Sequence, residues 1–191
     1  MFDFLKEYIR NPRSVGAVAP SSKVLARKMV KAVDFENARC IVEYGPGTGS
    51  FTRQILSRKK EETMLCLIEQ NETFYYKLRT LYGARRDIVV IHGSAEDADT
   101  LIRARGVSHA DYVISGLPFT SLPQEVTYRI FKATRRIIGR NGLFITFQYS
   151  NVRRAFFEHY FVFEKVYLAL RNIPPARVYV MRNREKPEGK A

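Results

Sequence analysis

The chain is poor in the residues and runs that commit a protein to a metal, a disulfide scaffold or a bilayer. Its 191 residues hold two cysteines, Cys40 and Cys66. Both fall inside apolar runs and lack the spaced partners of a zinc site, so they read as core thiols in a reducing compartment. His92, His109 and His159 share no ligand spacing, and no metal is expected. No apolar stretch approaches the roughly 18 residues of a membrane span, and the N-terminus lacks a signal peptide's apolar core. Low-complexity segments and internal repeats are missing too. These absences lead to the expectation of a cytoplasmic protein with residues 1–191 forming one domain.

Acidic residues are also few, 19 against 32 lysines and arginines, for a formal charge of +13. Such a field concentrates polyanions, so RNA and anionic membrane surfaces are both candidate partners, beside a merely soluble basic surface. Lys6, Arg10, Arg13, Lys23, Arg27, Lys28 and Lys31 crowd the first segment. On a helix, Phe2, Leu5, Tyr8 and Ile9 share a stripe, with Lys6, Glu7 and Arg10 away from it. That pattern fits a helix lying in a membrane interface, and equally a lid docked on the domain. Residues 1–33 are accordingly expected to form lid or membrane-contact helices.

The most informative stretch is Glu43 Tyr44 Gly45 Pro46 Gly47 Thr48 Gly49, directly after Cys40, Ile41 and Val42. It reads as strand, glycine turn and helix start, a place where a ligand can approach the backbone. Glu69 closes the next apolar run at about the 20-residue distance where such folds hold a ribose. An ordinary turn would also carry Gly-Pro-Gly, but Glu69 and the later motifs fall in register with a nucleoside site. Further along, the pattern predicts strands over 38–44, at 64–69, 88–92, 111–115 and 143–149, alternating with helices from Ser50, over 71–82, from Ser94 and over 123–138. A helix capped by Ser21 or Ser22 precedes them. This alternation implies a parallel sheet wound on both faces. The last two apolar runs, 161–170 and 177–182, are joined too briefly for a parallel crossover and read as an antiparallel hairpin.

Alternating Gly45, Gly47 and Gly49 with an acidic residue two places earlier resemble motif I of the class I S-adenosylmethionine-dependent methyltransferases. The resemblance implies a Rossmann-like α/β fold, a doubly wound, mostly parallel seven-stranded sheet ending in an antiparallel hairpin, with S-adenosyl-L-methionine as cofactor. Ser115 Gly116 Leu117 Pro118 Phe119 then occupies the acceptor mouth. The layout is similar to that of the ribosomal RNA adenine dimethyltransferases, except that Gly116 stands where their motif has an asparagine. Without that side chain a flipped adenine loses a contact of about 1–3 kcal/mol, so RNA is the less favoured acceptor.

The chain resembles the soluble bacterial phospholipid N-methyltransferases over nearly its whole length. Residues 11–22, 43–52, 115–118 and Asn172 Ile173 Pro174 Pro175 Ala176 Arg177 Val178 carry the likeness. It implies methylation of the phosphatidylethanolamine headgroup by a peripheral membrane enzyme, with a phospholipid as substrate. Carried onto matching positions, it implies a cofactor site of Ala19, Ser21, Glu43, Gly45, Pro46, Gly47, Thr48, Gly49, Glu69, Gln70, Ser94, Ala95, Ser115 and Gly116. Glu43 would order the glycine loop, Glu69 would take the ribose hydroxyls, and Ser94 or Ala95 would offer an amide to adenine. Leu117, Pro118 and Tyr149 are the expected catalytic positions, with Tyr149 positioning the amine, although a core tyrosine fits that place as well. Glu125 or a water chain are the other routes for the amine's proton. Tyr8 and Phe119 are expected on the substrate. Arg177 is expected on a headgroup phosphate, since a guanidinium forks onto phosphate oxygens, though a surface cation on a strand would read the same.

Overall fold

The structure, a computed structural model, describes residues 23–139, 141–150, 154–172 and 174–184. The elements are α1 (Lys23–Met29), β1 (Cys40–Tyr44), α2 (Ser50–Leu56), β2 (Met64–Glu69), α3 (Glu72–Tyr82), β3 (Ile88–His92), α4 (Ala98–Arg103), β4 (Tyr112–Ser115), α5 (Gln124–Ile137), β5 (Leu143–Gln148), α6 (Arg154–Tyr160), β6 (Phe161–Ala169) and β7 (Ala176–Asn183). A single 3-10 turn, Ala95–Asp97, leads into α4. The predicted helix over residues 1–10, the first motif and the sites at Tyr8, Ala19 and Ser21 lie outside the described residues.

Among the described residues the strands form one seven-stranded sheet in the order β3-β2-β1-β4-β5-β7-β6. All pairings from β3 to β5 are parallel, and β7 lies antiparallel to both β5 and β6. The central strands are apolar throughout because helices cover both faces: every residue of β1 is buried, and only the first residue of β2 and of β5 is partly exposed. One core, around Val42, Tyr44, Phe119, Phe131 and Phe144, fills the face covered by α4, α5 and α6. The other, around Leu25, Met29, Ile41, Phe51, Ile145 and Val180, fills the face covered by α1 and α2. Cys40 and Cys66 are buried, free thiols inside these strands, as expected.

Local chemistry sets the element ends. Asn71 caps α3, its side chain accepting from the Phe74 amide at 3.0 Å. Pro123 precedes α5, whose buried Val126, Ile130, Phe131, Thr134 and Ile137 recur at helical spacing. Sequence patterning did not anticipate α6. It is only seven residues long, and its Phe156, Phe157 and Tyr160 are inserted into an aromatic cluster with Phe131 rather than arranged as an amphipathic stripe.

A bulge at Glu164 interrupts the β6–β7 register between Phe163 and Lys165. Side-chain parity changes across it. Before the bulge Phe161 and Phe163 face the α5–α6 side; after it Tyr167 and Ala169 turn inward on the α1 side. Val166 and Leu168 are thereby sent to the α5–α6 side of the sheet's edge strand.

Candidate active site

The site assembles at the carboxyl ends of β1, β2, β4 and β5, where an open α/β sheet binds ligands. Gly45, Gly47 and Gly49 have φ of 61°, 53° and 78°, the left-handed region that a side chain resists. The loop is closed by its own amides: Gly45 N donates to Ile68 O at 2.9 Å and Gly49 N to Pro46 O at 2.8 Å. Arg53 on α2 donates to Thr48 O at 2.8 Å and pins the far side.

Glu69 is the hub. One carboxylate oxygen accepts the Gly47 amide at 2.9 Å and the other the Asn71 amide at 2.8 Å. Burial raises its pKa, and the backbone amides that hold the charged form work against that rise. With the Gln70 amide also acting on it, the carboxylate still keeps lone-pair capacity to accept a ribose hydroxyl. Gln70 lies next to it, half-buried, with its carbonyl on His92 Nε2 at 3.2 Å, and the His92 ring stacks on Tyr75 at 4.9 Å. Ser94 caps the following turn by accepting the Glu96 amide at 3.2 Å, and Ala95 is buried beneath it.

Glu43 is fully buried, and its contacts refine the expectation of a loop-ordering role. Its Oε2 accepts from Thr52 Oγ1 at 2.8 Å, tying β1 to α2 rather than to the loop amides, while Oε1 has no partner among the described residues. Burial first, and the nearby Glu69 charge, push its carboxyl up to about 8 against the Thr52 hydrogen bond. At neutral pH it is a neutral acid.

The turn over residues 115–119 packs directly on the glycine loop. Gly116 N donates to Tyr44 O at 3.0 Å, and a Cβ at Gly116 would lie 3.1 Å from the Gly45 carbonyl oxygen and 3.4 Å from the Phe51 ring. That leaves glycine the comfortable occupant and an asparagine crowded. Leu117 covers the loop from outside, 2.9 Å from where a Gly45 Cβ would stand. Ser115 Oγ accepts the Leu117 amide at 3.2 Å. The Pro118 carbonyl accepts the amides of Ser121 at 2.9 Å and Leu122 at 3.2 Å, so its oxygen serves the turn.

Phe119 requires a correction. Expected on the substrate, it is wholly buried, packed against Phe131, Phe144 and Phe157 at centroid distances of 5.2, 6.0 and 5.5 Å. The turn that bonds its amide to Leu117 O at 3.0 Å points the ring into the core.

Tyr149 is half-buried at the end of β5, edge-on to Phe147 at 5.4 Å, with its hydroxyl hydrogen bonded to the Asn172 side chain. Two motifs far apart in sequence meet there. Asn172 also donates to Pro174 O at 2.7 Å, fixing the turn before Arg177. Burial raises the Tyr149 phenol, so it stays protonated. Glu125 is 60 % exposed and bound to Arg129 at 2.9 Å. Arg177 is half-buried and makes no ion pair among the described residues. Its cross-strand partner is Gln148, buried at 4 % exposure, whose amide nitrogen has no hydrogen-bond partner among the described residues. Sequence reasoning missed Gln148, although a polar residue ending the buried run Leu143–Gln148 was a visible signal.

Residues of this kind fit S-adenosylmethionine: a glycine cradle whose positive φ at Gly45, Gly47 and Gly49 a side chain would strain, an acid held by backbone amides at the end of β2, and a buried carboxyl oxygen unpartnered among the described residues. Sheet order, hairpin and site together define a class I S-adenosylmethionine-dependent methyltransferase. No family model matches the chain. Solved structures with the same fold include a precorrin-6Y C5,15-methyltransferase from Geobacter metallireducens (TM-score 0.64, 11% identity, covering 84% of this chain and 88% of that one). Another is the TrmK protein of M. capricolum in complex with S-adenosyl-homocysteine (TM-score 0.61, 11% identity, covering 86% and 71%). An ornithine lipid N-methyltransferase from Singulisphaera acidiphila is 33% identical over 187 residues, spanning 95% of each chain. The chain belongs to the methyltransferase family of that protein.

Proposed function

We propose that the protein transfers methyl groups to the amine of a lipid headgroup that also carries an oxyanion. Support comes above all from the likeness to the ornithine lipid enzyme over 95% of both chains. An ornithine headgroup offers an amine and a carboxylate; phosphatidylethanolamine, the acceptor implied by the four sequence motifs, offers an amine and a phosphate. Arg177 and Gln148, side by side at the acceptor mouth, present a guanidinium and an amide donor suited to either anion.

S-adenosylmethionine, when bound, supplies an electrophilic sulfonium methyl. Gly45–Gly49 and Glu69 hold that cofactor in this reading, and Leu117 shields the glycine loop from water. The protein's contribution is mainly alignment, which is worth up to about 7–11 kcal/mol in ideal cases. Tyr149 positions the amine through its hydroxyl and ring face. An ammonium must lose its proton before it can attack, and a phenol with a raised pKa does not take it. Glu125, bound to Arg129, is no freer to do so. The proton therefore leaves to water.

The test is mass spectrometry of vesicles containing ornithine lipid or phosphatidylethanolamine after incubation with enzyme and S-adenosylmethionine. Stepwise methyl additions to one of these lipids support the reading. Unchanged masses for both would refute it.

A further inference from the structure

The register places three side chains in one row across the active-site end of the sheet: Gln148 on β5, Arg177 on β7 and Leu168 on β6. With strands about 4.8 Å apart, the row runs roughly 10 Å from the acceptor mouth to the sheet's edge. Its character changes along the way, from a buried unpartnered amide, through a half-buried cation, to an apolar side chain half exposed. Val166, Leu168 and Leu170, 39, 50 and 69 % exposed, form an apolar ridge along the edge strand. Pro174 and Pro175 are exposed beside it, and Arg171, also exposed, joins Arg177 in making no ion pair among the described residues.

Resting on the lipid reading above, we propose that the end of the β6–β7 hairpin is the surface by which this enzyme docks on an anionic bilayer. The acceptor's acyl region lies along Leu168, its anion on Arg177, and its amine toward β5, while Leu170 and Arg171 meet only the bilayer. An exposed apolar ridge on an edge strand is a liability in water unless something covers it. Unpaired arginines beside it select an anionic cover, and its place at the carboxyl end of β5 lets that cover deliver the acceptor. The Glu164 bulge that turns Val166 and Leu168 to this side is the structural device that builds the ridge.

The chain contains no tryptophan, so Leu170→Trp gives the full-length protein a single fluorescent probe at an exposed position. Mixed with phosphatidylglycerol/phosphatidylcholine vesicles, its emission is expected to shift to the blue and rise, and to stay unchanged with pure phosphatidylcholine. The double variant Leu170→Ser/Arg171→Ser is expected to lose about tenfold or more in vesicle affinity by co-sedimentation. It should keep wild-type turnover of a short-chain acceptor below its micelle concentration. An unchanged emission from protein that does sediment with vesicles would overturn the proposal, as would failure to sediment at all. A blue shift that depends on protein concentration without vesicles would also overturn it, assigning the ridge to a second copy of the chain. Methyl transfer to lipid is scored separately. A protein that methylates lipid while the probe is silent loses only the docking surface, and a responsive probe with no lipid methylated sinks only the substrate reading.

Discussion

Replacing Glu43 with glutamine should remove a pH dependence that the native chain carries in its core. The carboxyl is fully buried and pushed up to about 8, against 4.5 for the ordinary group. Between those two values the folded state binds a proton that the unfolded state has released, so stability falls as pH rises and levels off above the folded value. The full span corresponds to at most about 5 kcal/mol, of which about 3 kcal/mol is lost between pH 6 and pH 9. A glutamine at this position keeps an oxygen to accept from Thr52 and never ionises. The difference in stability between Glu43→Gln and wild type should therefore widen in the variant's favour by about 3 kcal/mol across that range. For a domain of this size that is roughly 6–12 °C in Tm. Thermal melts of cofactor-free protein followed by circular dichroism at pH 6, 7, 8 and 9 read it directly, and taking the difference cancels the titration of groups that do not interact with Glu43. A gap that stays constant with pH would refute the assignment of Glu43 as a neutral buried acid.

Other perturbations probe other parts of the site. Gly116→Asn should lower affinity for S-adenosylhomocysteine at least about tenfold by calorimetry, because a tight Cβ contact pushes on the Gly45 carbonyl; unchanged affinity would show that the two loops have room. Glu69→Gln sets an amide donor against the backbone amide of Gly47 or Asn71 and should cost about 2 kcal/mol in the same titration. Gln148→Leu removes a buried, unpartnered donor, so urea unfolding should show stability unchanged or raised by up to about 1 kcal/mol while acceptor KM rises. A Leu variant that is destabilised with normal KM would make Gln148 structural. Lys59 is 2% exposed and donates to Asp87 at 2.5 Å, Thr63 O at 2.8 Å and Lys60 O at 2.9 Å, so Lys59→Met should cost about 2–3 kcal/mol in urea.

Periodicity made most of the fold legible. The run 88–92 became β3 with the same ends, and the span 123–138 became α5 with its two terminal residues acting as caps. Both have long-range reasons to read clearly: a continuous apolar run between two covered faces, and a stripe that meets one core. The short connection around Pro174 and Pro175 correctly gave the antiparallel ending. What failed did so where sequence order says nothing about direction. Phe119 follows the acceptor motif immediately, yet one backbone turn sends its ring inward. Seven-residue α6 takes its stability from aromatic contacts with α5, which local pattern does not report. Glu43 stood out as an acid two places before a glycine and Glu69 as the acid closing the next apolar run, but their different roles emerge only in three dimensions. One is a neutral acid tied to α2, and the other is held by two loop amides.

Gly116 illustrates how a departure from a motif gains meaning from packing. In sequence it is a missing polar side chain; in the structure its Cβ position faces the Gly45 carbonyl and the Phe51 ring. The absence of a side chain at Gly116 is therefore built into the contact between the turn over residues 115–119 and the glycine loop. This agrees with an acceptor recognised from the β5–β7 side, where Gln148 and Arg177 stand.

The most direct measurement is transfer of labelled methyl from S-adenosylmethionine to a total lipid extract, with total RNA in a parallel tube. Label is expected in chloroform-soluble, amine-bearing lipids and none in RNA. Label in RNA with unlabelled lipid would contradict the lipid reading.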